Sequence, residues 1–291
     1  MKTYLDCFPC FLKQALNAVR FTTADEKLHE KVMHDAIKMA ASMDPRQTPP
    51  EMGRQIHRLI RELTGVADPY QEVKKQFNDY ALAAEPRLRK IIEQSQKPLE
   101  TAVRLAIAGN IIDFGPNSRL VDTQVSEAIE HSLSAPLDTE ELETFKKSLN
   151  TSSVILYLGD NAGEIVFDRL LIEQLPLDKI TFVVKGYPVI NDATMSDAIA
   201  TGLTELVRVI DNGHDAPGTI IDQCSDEFKK IYARADLVIA KGQGNYETLS
   251  NEDKNIFFLL KAKCPIIARH LAVELGSIVI RRNHFNLRAE Q

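Results

Sequence analysis

Two patterns of apolar residues divide the chain. From Pro9 to about Leu149, apolar residues recur at intervals of three and four, as in Ala15 and Val19 and again in Leu28, Val32, Ala36 and Met39, with almost no strand-like alternation. That spacing puts them on one face of a helix, so this half predicts a bundle of helices. Cap and turn residues mark the breaks at Phe21 to Asp25, Asp44-Pro45 through Pro49-Pro50, Asp68-Pro69 and Phe114-Gly115-Pro116. Charges such as Arg87, Arg89 and Lys90 are expected on a solvated face. From Ser152 the pattern changes to short aliphatic runs, VILYLG, ITFVVKG, LVRVID, LVIAKG, PIIAR and SIVIRR, separated by helical stretches. This predicts βαβ units, that is, an α/β fold with a mainly parallel sheet sandwiched by helices.

Composition adds a size and a compartment. The chain has 291 residues, 44% hydrophobic and 26% charged, enough for a large core and more than one typical domain. A net charge of −6 and a pI near 5.7 repel polyanions, so nucleic acid is not expected as a partner. The N-terminal MKTYLDCFPCFLKQAL has no sustained apolar core or cleavage site, and no window approaches the roughly 18 apolar residues of a membrane span. The reading is a soluble, cytoplasmic protein. Four cysteines are too few for a disulfide framework in a chain this long. Cys7 and Cys10 form a Cys-x-x-Cys pair, but Cys224 and Cys264 do not supply the second pair of a structural zinc site. Packing on the first helix, redox sensing and metal binding all remain open for it.

Ligands of parallel sheets sit beyond the carboxyl ends of the strands, which directs attention to the residues after each aliphatic run. After the first comes Gly159-Asp160-Asn161-Ala162-Gly163-Glu164, and after the second Lys185-Gly186-Tyr187-Pro188, leading to Asn191-Asp192. After the third comes Asp211-Asn212-Gly213-His214-Asp215, and after the fourth Lys241-Gly242-Gln243-Gly244-Asn245-Tyr246. A parallel sheet brings all four to one edge. Asp160, Asn161 and Asp192 offer hard oxygen ligands suited to Mg²⁺ or Mn²⁺. Lys241, beside glycines that expose backbone N–H groups ahead of a helix, suits phosphate. Together they describe a metal-assisted phosphoryl site in which Lys241 offsets the charge developing on the transferred group.

The bland alternative is that Asp160, Asn161 and Asp192 are helix caps and Glu164 completes a capping box. Capping does not require four polar, glycine-bearing turns at one edge, nor a lysine closing the apolar run LVIA. Other chemistries are excluded by spelling. The first turn is not G-x-G-x-x-G, and there is no G-K-[ST] and no G-x-S-x-G. His29-Glu30 and His34 are spaced one residue too far for a zincin helix. In the helical half, Asn110 and Asp113 lie one turn apart in an otherwise apolar stretch. They read either as a helix end or as polar groups of a helix that lids the strand-edge pocket.

The joint occurrence of Cys7-x-x-Cys10, A-G-N-I-I-D (Ala108 to Asp113), G-D-N-A-G-E (Gly159 to Glu164), N-D-A-T (Asn191 to Thr194), K-G-Q-G-N-Y-E (Lys241 to Glu247) and K-C-P (Lys263 to Pro265) resembles the metal-dependent damage-control phosphatase family. The motifs run in order over nearly the whole chain, and the Cys-x-x-Cys points to the prokaryotic branch. The resemblance implies a helical domain over 1–149 packed on a Rossmann-like three-layer αβα domain over 150–291, with the active site at their interface. It implies hydrolysis of sugar phosphates or damaged phosphorylated metabolites with Mn²⁺, Co²⁺, Ni²⁺ or Mg²⁺ as cofactor, held by Asp160, Asn161 and Asp192. Substrate contacts are implied for Glu164, Lys241, Asn245 and Lys263, and the catalytic residues expected are Asp160, Asp192 and Lys241. Members active on sugar phosphates often carry Arg after N-Y; here the residue is Glu247.

Two other classes compete with this reading. Some relatives carry the name of a carboxyl methyltransferase, although G-D-N-A-G is not a glycine-rich adenosine-binding turn. A non-enzymatic phosphometabolite sensor would use the same pocket. The expected partner in each case is a small molecule, and the oligomeric state is not legible in the sequence.

Overall fold

The computed structural model describes residues 1–110 and 121–283. The expected helices form, as α1 (Cys7–Thr22), α2 (Glu26–Ser42), α3 (Pro49–Thr64), α4 (Gln71–Glu93), α5 (Pro98–Gly109), α6 (Val121–Ser134) and α7 (Thr139–Thr151). The first three breaks read from the sequence fall between α1 and α2, α2 and α3, and α3 and α4. The fourth, Phe114 to Pro116, lies outside the described residues. Strands and helices then alternate: β1 (Ile155–Leu158), α8 (Glu164–Ile172), β2 (Ile180–Val184), α9 (Met195–Ala200), α10 (Leu203–Leu206), β3 (Arg208–Asp211), α11 (Asp226–Arg234), β4 (Leu237–Lys241), α12 (Gly242–Leu249), β5 (Ile256–Lys261), α13 (Pro265–Leu271) and β6 (Ile278–Arg282).

The sheet runs β3-β2-β1-β4-β5-β6, with β1 to β5 parallel and β6 antiparallel to β5. One expectation is corrected. PIIAR is not a strand but helix α13, and the strand in that region is IFFLLK, which is β5. An apolar run of five residues carries no period of its own; Pro265 at the first helical position settles it, since its fixed φ suits a helix start. No helix among the described residues is long and apolar enough to cross a membrane.

Strand alternation sorts the sheet into two faces. Ile155 and Tyr157 of β1 and Leu237 and Ile239 of β4 face a core built with α4, α5, α7 and α8. Leu156, Leu158, Val238 and Ala240 face α11, α12 and α13. The helices before β1 therefore have two destinations. Helices α4 to α7 help cover the sheet, whereas α1 to α3 enclose a core of their own around Phe11, Val32, Met52 and Ile56. Helix α3 is tied to the sheet edge by Arg58 and Arg61, which donate to Asp215 after β3 at 2.7 and 2.5 Å. Arg89, expected on a solvated face, reaches Glu173 at the end of α8.

The order of the strands reverses between β1 and β4, which are neighbours in space but leave in opposite directions along the sheet. Their C-terminal ends frame the crevice in which open α/β sheets bind ligands. The floor of that crevice is aromatic: Phe182 stacks on Tyr157 with centroids 5.2 Å apart, and its ring lies so close under Gly159 that a Cβ there would stand 2.6 Å from it. Phe182→Ala removes this support. We expect a loss of about 3–5 kcal/mol in urea denaturation, the usual cost of emptying a buried aromatic site; a cost under about 1 kcal/mol would mean that the ring does not carry the turn.

Candidate active site

The site is built from two loops sewn together. After β1, Gly159 donates its N–H to Val183 O, the chain passes through Asp160 and Asn161, and Gly163 at φ 75° turns it into α8. After β2 the chain passes Lys185 and returns through Asn191 and Asp192. Ala162 N donates to Asn191 O at 2.9 Å and Ala193 N to Asp160 O at 2.8 Å, so Asn161 and Asp192 face each other as an antiparallel bridge. The three residues expected to hold a metal are thus brought together, by backbone pairing that needs no ion.

Their side chains are set by two amides. Asn110, at the end of α5, donates from Nδ2 to Asp160 Oδ2 at 2.7 Å and to Glu164 Oε2 at 2.9 Å. Asn161 donates from Nδ2 to the same two oxygens at 2.9 and 3.0 Å. With both hydrogens of each amide on carboxylates, neither amide can be reversed without setting oxygen against oxygen. Each Oδ1 therefore turns away. Asn110 Oδ1 is buried with no hydrogen-bond donor among the described residues. Asp192 Oδ1 is likewise buried without a hydrogen bond, in ion-pair contact with Lys185 Nζ at 3.4 Å.

A buried polar atom with no partner is costly, and a hard cation would satisfy these oxygens. The ionisation of the site points the same way. Burial pushes the Asp160 carboxyl well above the carboxylate range, Glu164 and Asp192 push it further, and Lys185 and Lys263 pull it back. Burial also raises Asp192, against the pull of Lys185. Among the described residues no three His, Cys, Asp or Glu side chains converge on one ion position. The oxygen-bearing side chains gathered here are the carboxylates of Asp160 and Asp192 and the amide of Asn161, a chemistry compatible with a divalent ion, with Asn110 beside them.

Gly242, at the start of α12, closes the other side. It has φ 77°, and a Cβ there would fall 1.9 Å from Asp160 Oδ2. The carboxylate of Asp160 thus rests on bare backbone from the neighbouring strand.

Three expected site residues stand behind the pocket rather than in it. Lys241 is fully buried, and its ammonium donates to Ala106 O at 2.8 Å, to Glu164 Oε1 at 2.6 Å and to Asp168. The reason is strand parity: Lys241 is in step with Leu237 and Ile239, so it points to the α5 and α8 face. All three of its protons are engaged, and the phosphate contact expected from the sequence is not made from this position. Burial pulls the lysine pKa down, but Asp168 and Glu164 outweigh it and the net shift is upward, so it stays charged. Glu164 is 1% exposed and connects Lys241 to the two amides. Asn245 donates to Gly159 O and Lys241 O and accepts from Thr219, binding the β1 and β4 turns to each other. Asp168, which also accepts from Tyr157 OH at 2.7 Å, escaped the sequence reading, and Lys185, noted there after the second strand, was given no role. Lys185 could have been given one, since it closes ITFVV as Lys241 closes LVIA.

The pocket in front holds about 380 Å³. Asn110, Asp160, Asn161, Asp192 and Lys263 line it, together with Glu247 and the thiols Cys7, Cys10 and Cys264. The thiols are unpaired by disulfide. Asp113 lies outside the described residues.

A doubly wound sheet with an acid-amide-acid site at its switch point defines the class. The profile of the Damage-control phosphatase ARMT1-like domain family matches residues 3–279. The chain is 36% identical over 296 residues to the damage-control phosphatase PH1575 of Pyrococcus horikoshii, covering 99% of this chain and 100% of that one. It is 35% identical over 281 residues to a damage-control phosphatase of Archaeoglobus fulgidus, covering 94% and 97%. A crystal structure of a DUF89 family protein from Pyrococcus horikoshii superposes with a TM-score of 0.84 at 34% identity, covering 97% of this chain and 99% of that one. The chain belongs to the damage-control phosphatase ARMT1-like domain family.

Two outcomes follow from the buried charges. Lys241→Met leaves Glu164 and Asp168 buried without their cation; we expect a loss of about 3–5 kcal/mol by urea denaturation, and a neutral substitution would show that the ammonium is dispensable. Glu247 is 9% exposed, and burial raises its carboxyl from 4.5 to about 7. The folded protein holds this proton more tightly than the unfolded chain does, so the group's contribution to stability falls as the pH rises from 4.5 to about 7. Glu247→Gln, which cannot ionise, is expected to gain on the wild type across that window by on the order of 3 kcal/mol. Denaturation midpoints at about pH 5 and about pH 8 test this, and a difference that does not grow with pH refutes it.

Proposed function

We propose that the protein is a divalent-metal-dependent phosphatase that hydrolyses sugar phosphates or damaged phosphorylated metabolites. The observation that carries this reading is a raised Asp160 carboxyl in one pocket with Asn110 Oδ1, which has no donor among the described residues, and Asp192 Oδ1, which takes no hydrogen bond and meets only the charge of Lys185. Asp160, Asn161 and Asp192 would hold Mn²⁺, Co²⁺, Ni²⁺ or Mg²⁺. When bound, such an ion offsets the charge of the phosphate oxygens and makes phosphorus more electrophilic.

The chain's own residues do the rest. Lys263, whose charge acts on Asp160, is the basic side chain placed to meet the phosphate. Asn110 and Asn161 hold the Asp160 carboxylate through its Oδ2, which leaves Oδ1 to act either as nucleophile or as base toward a water. Lys241 and Glu164 act as positioning residues, holding those two amides from behind. Methyl transfer is less well supported, because the turn after β1 presents two metal-type ligands where an adenosine-binding turn would present glycines.

The test is phosphate release from p-nitrophenyl phosphate and fructose 1-phosphate with each of the four ions. We expect metal-dependent release in the wild type, reduced at least about a thousandfold in Asp160→Ala, the scale set by losing a group that acts on the transition state. No release with any ion across a broad ester panel refutes the reading. Hydrolysis of an ester chiral at phosphorus separates the two roles of Asp160: net retention of configuration in the product marks two displacements through a covalent aspartyl-phosphate, and net inversion marks direct attack by water.

A further inference from the structure

The charges of the pocket are unevenly distributed. Among the described residues that line it, the acidic side chains are Asp6, Asp160, Asp192 and Glu247, and the basic one is Lys263. Lys263 serves the ion end, where it acts on Asp160. The lining acid on α12 is Glu247, one turn along from Gln243 and not among the charges that act on Asp160 or Asp192. Gln243 Nε2 donates to Glu247 Oε1 at 3.1 Å, which fixes the amide and turns its Oε1 away. That oxygen is buried with no donor among the described residues. Burial raises the Glu247 carboxyl, opposed by Gln243 and by the N-terminal ammonium, which itself donates to the backbone oxygen of Glu247. Phe11, Pro49 and Pro50 supply apolar wall.

Once the pH is above about 7 and Glu247 is ionised, a ligand reaching this end therefore meets two acceptors, one of them anionic, and a surface of carbon. A hydroxyl or amine would satisfy Gln243 Oε1 and Glu247. A second carboxylate or phosphate would be stripped of water beside a like charge, which disfavours its binding. We propose that Glu247, oriented by Gln243, is the specificity-determining residue of the pocket, admitting phosphate monoesters whose far end carries hydroxyl or amine donors and rejecting those that carry a second anion. This rests on the phosphatase reading and narrows its substrate class by charge.

Glycerol 3-phosphate and 3-phosphoglycerate form the matched pair, differing by a hydroxymethyl group in place of a carboxylate. Both kcat/KM and calorimetric binding are measured on the Mn²⁺-loaded full chain. The wild type is expected to favour glycerol 3-phosphate by at least about tenfold in each readout, Glu247→Gln to reduce that preference to about threefold or less, and Gln243→Glu to widen it. Glu247→Gln keeps an acceptor for Gln243 Nε2, and a thermal melt at the assay pH verifies its fold. Equal preference in wild type and Glu247→Gln, with hydrolysis intact, overturns the inference and leaves the phosphatase reading standing. If neither ester is hydrolysed with Mn²⁺, the phosphatase reading is decided by the wider panel of ions and esters, and the binding ratios decide the inference alone, upheld by a preference that Glu247→Gln removes and overturned by one it leaves unchanged.

Discussion

The site depends on one buried ammonium. Lys241 lies in the layer between β4, α5 and α8, without water, and its charge can stay there only because Glu164 and Asp168 come from the same face of α8 to meet it. Tyr157 secures Asp168 from β1, and Glu164 passes the constraint outward to Asn110 and Asn161. Each step is a hydrogen bond between groups already immobilised by packing. The result is that Asp160, at the wet end of the chain of contacts, is oriented by a lysine it does not touch.

A second constraint is backbone pairing between the β1 and β2 turns. Polar side chains drawn from separate loops often need a bound ion to bring them together. Here the main-chain bonds at Ala162 and Ala193 and the bare Gly242 surface fix Asp160, Asn161 and Asp192 beforehand. The cost is borne locally by crowded carboxylates and unmatched oxygens, a form of stored electrostatic strain common where a charged ligand is to be bound.

The fold class was legible because both halves keep their period: helical spacing before Leu149 and short aliphatic runs after Ser152. Where a run was too short to show a period, as in PIIAR, the assignment failed and a proline decided the outcome. The meeting of Asp160, Asn161 and Asp192 was legible because acid and amide residues followed the strands. The roles of Lys241, Glu164 and Asn245 were not, because a residue at a strand end can face the pocket or the core, and that choice depends on register against neighbours distant in sequence. Asp168 was invisible for a related reason: inside the helix EIVFDRLLI an acid one turn after Glu164 looks like a solvent-facing residue until Lys241 arrives from another strand.

The division of the early helices between two cores bears on the order in which the chain can be completed. During synthesis, α4, α5 and α7 emerge before any strand they cover, with Ile107 and Phe145 among the residues that end in the sheet core. Phe145 packs on Phe257 of β5, the fifth strand to be made. The apolar face of these helices therefore stays without its final partner until most of the sheet has left the ribosome, whereas α1 to α3 can close their own core early. Asn110, the amide that orients Asp160, sits at the end of one of the helices that must wait, so the active site is assembled among the last contacts although its first residue is made in the first half of the chain.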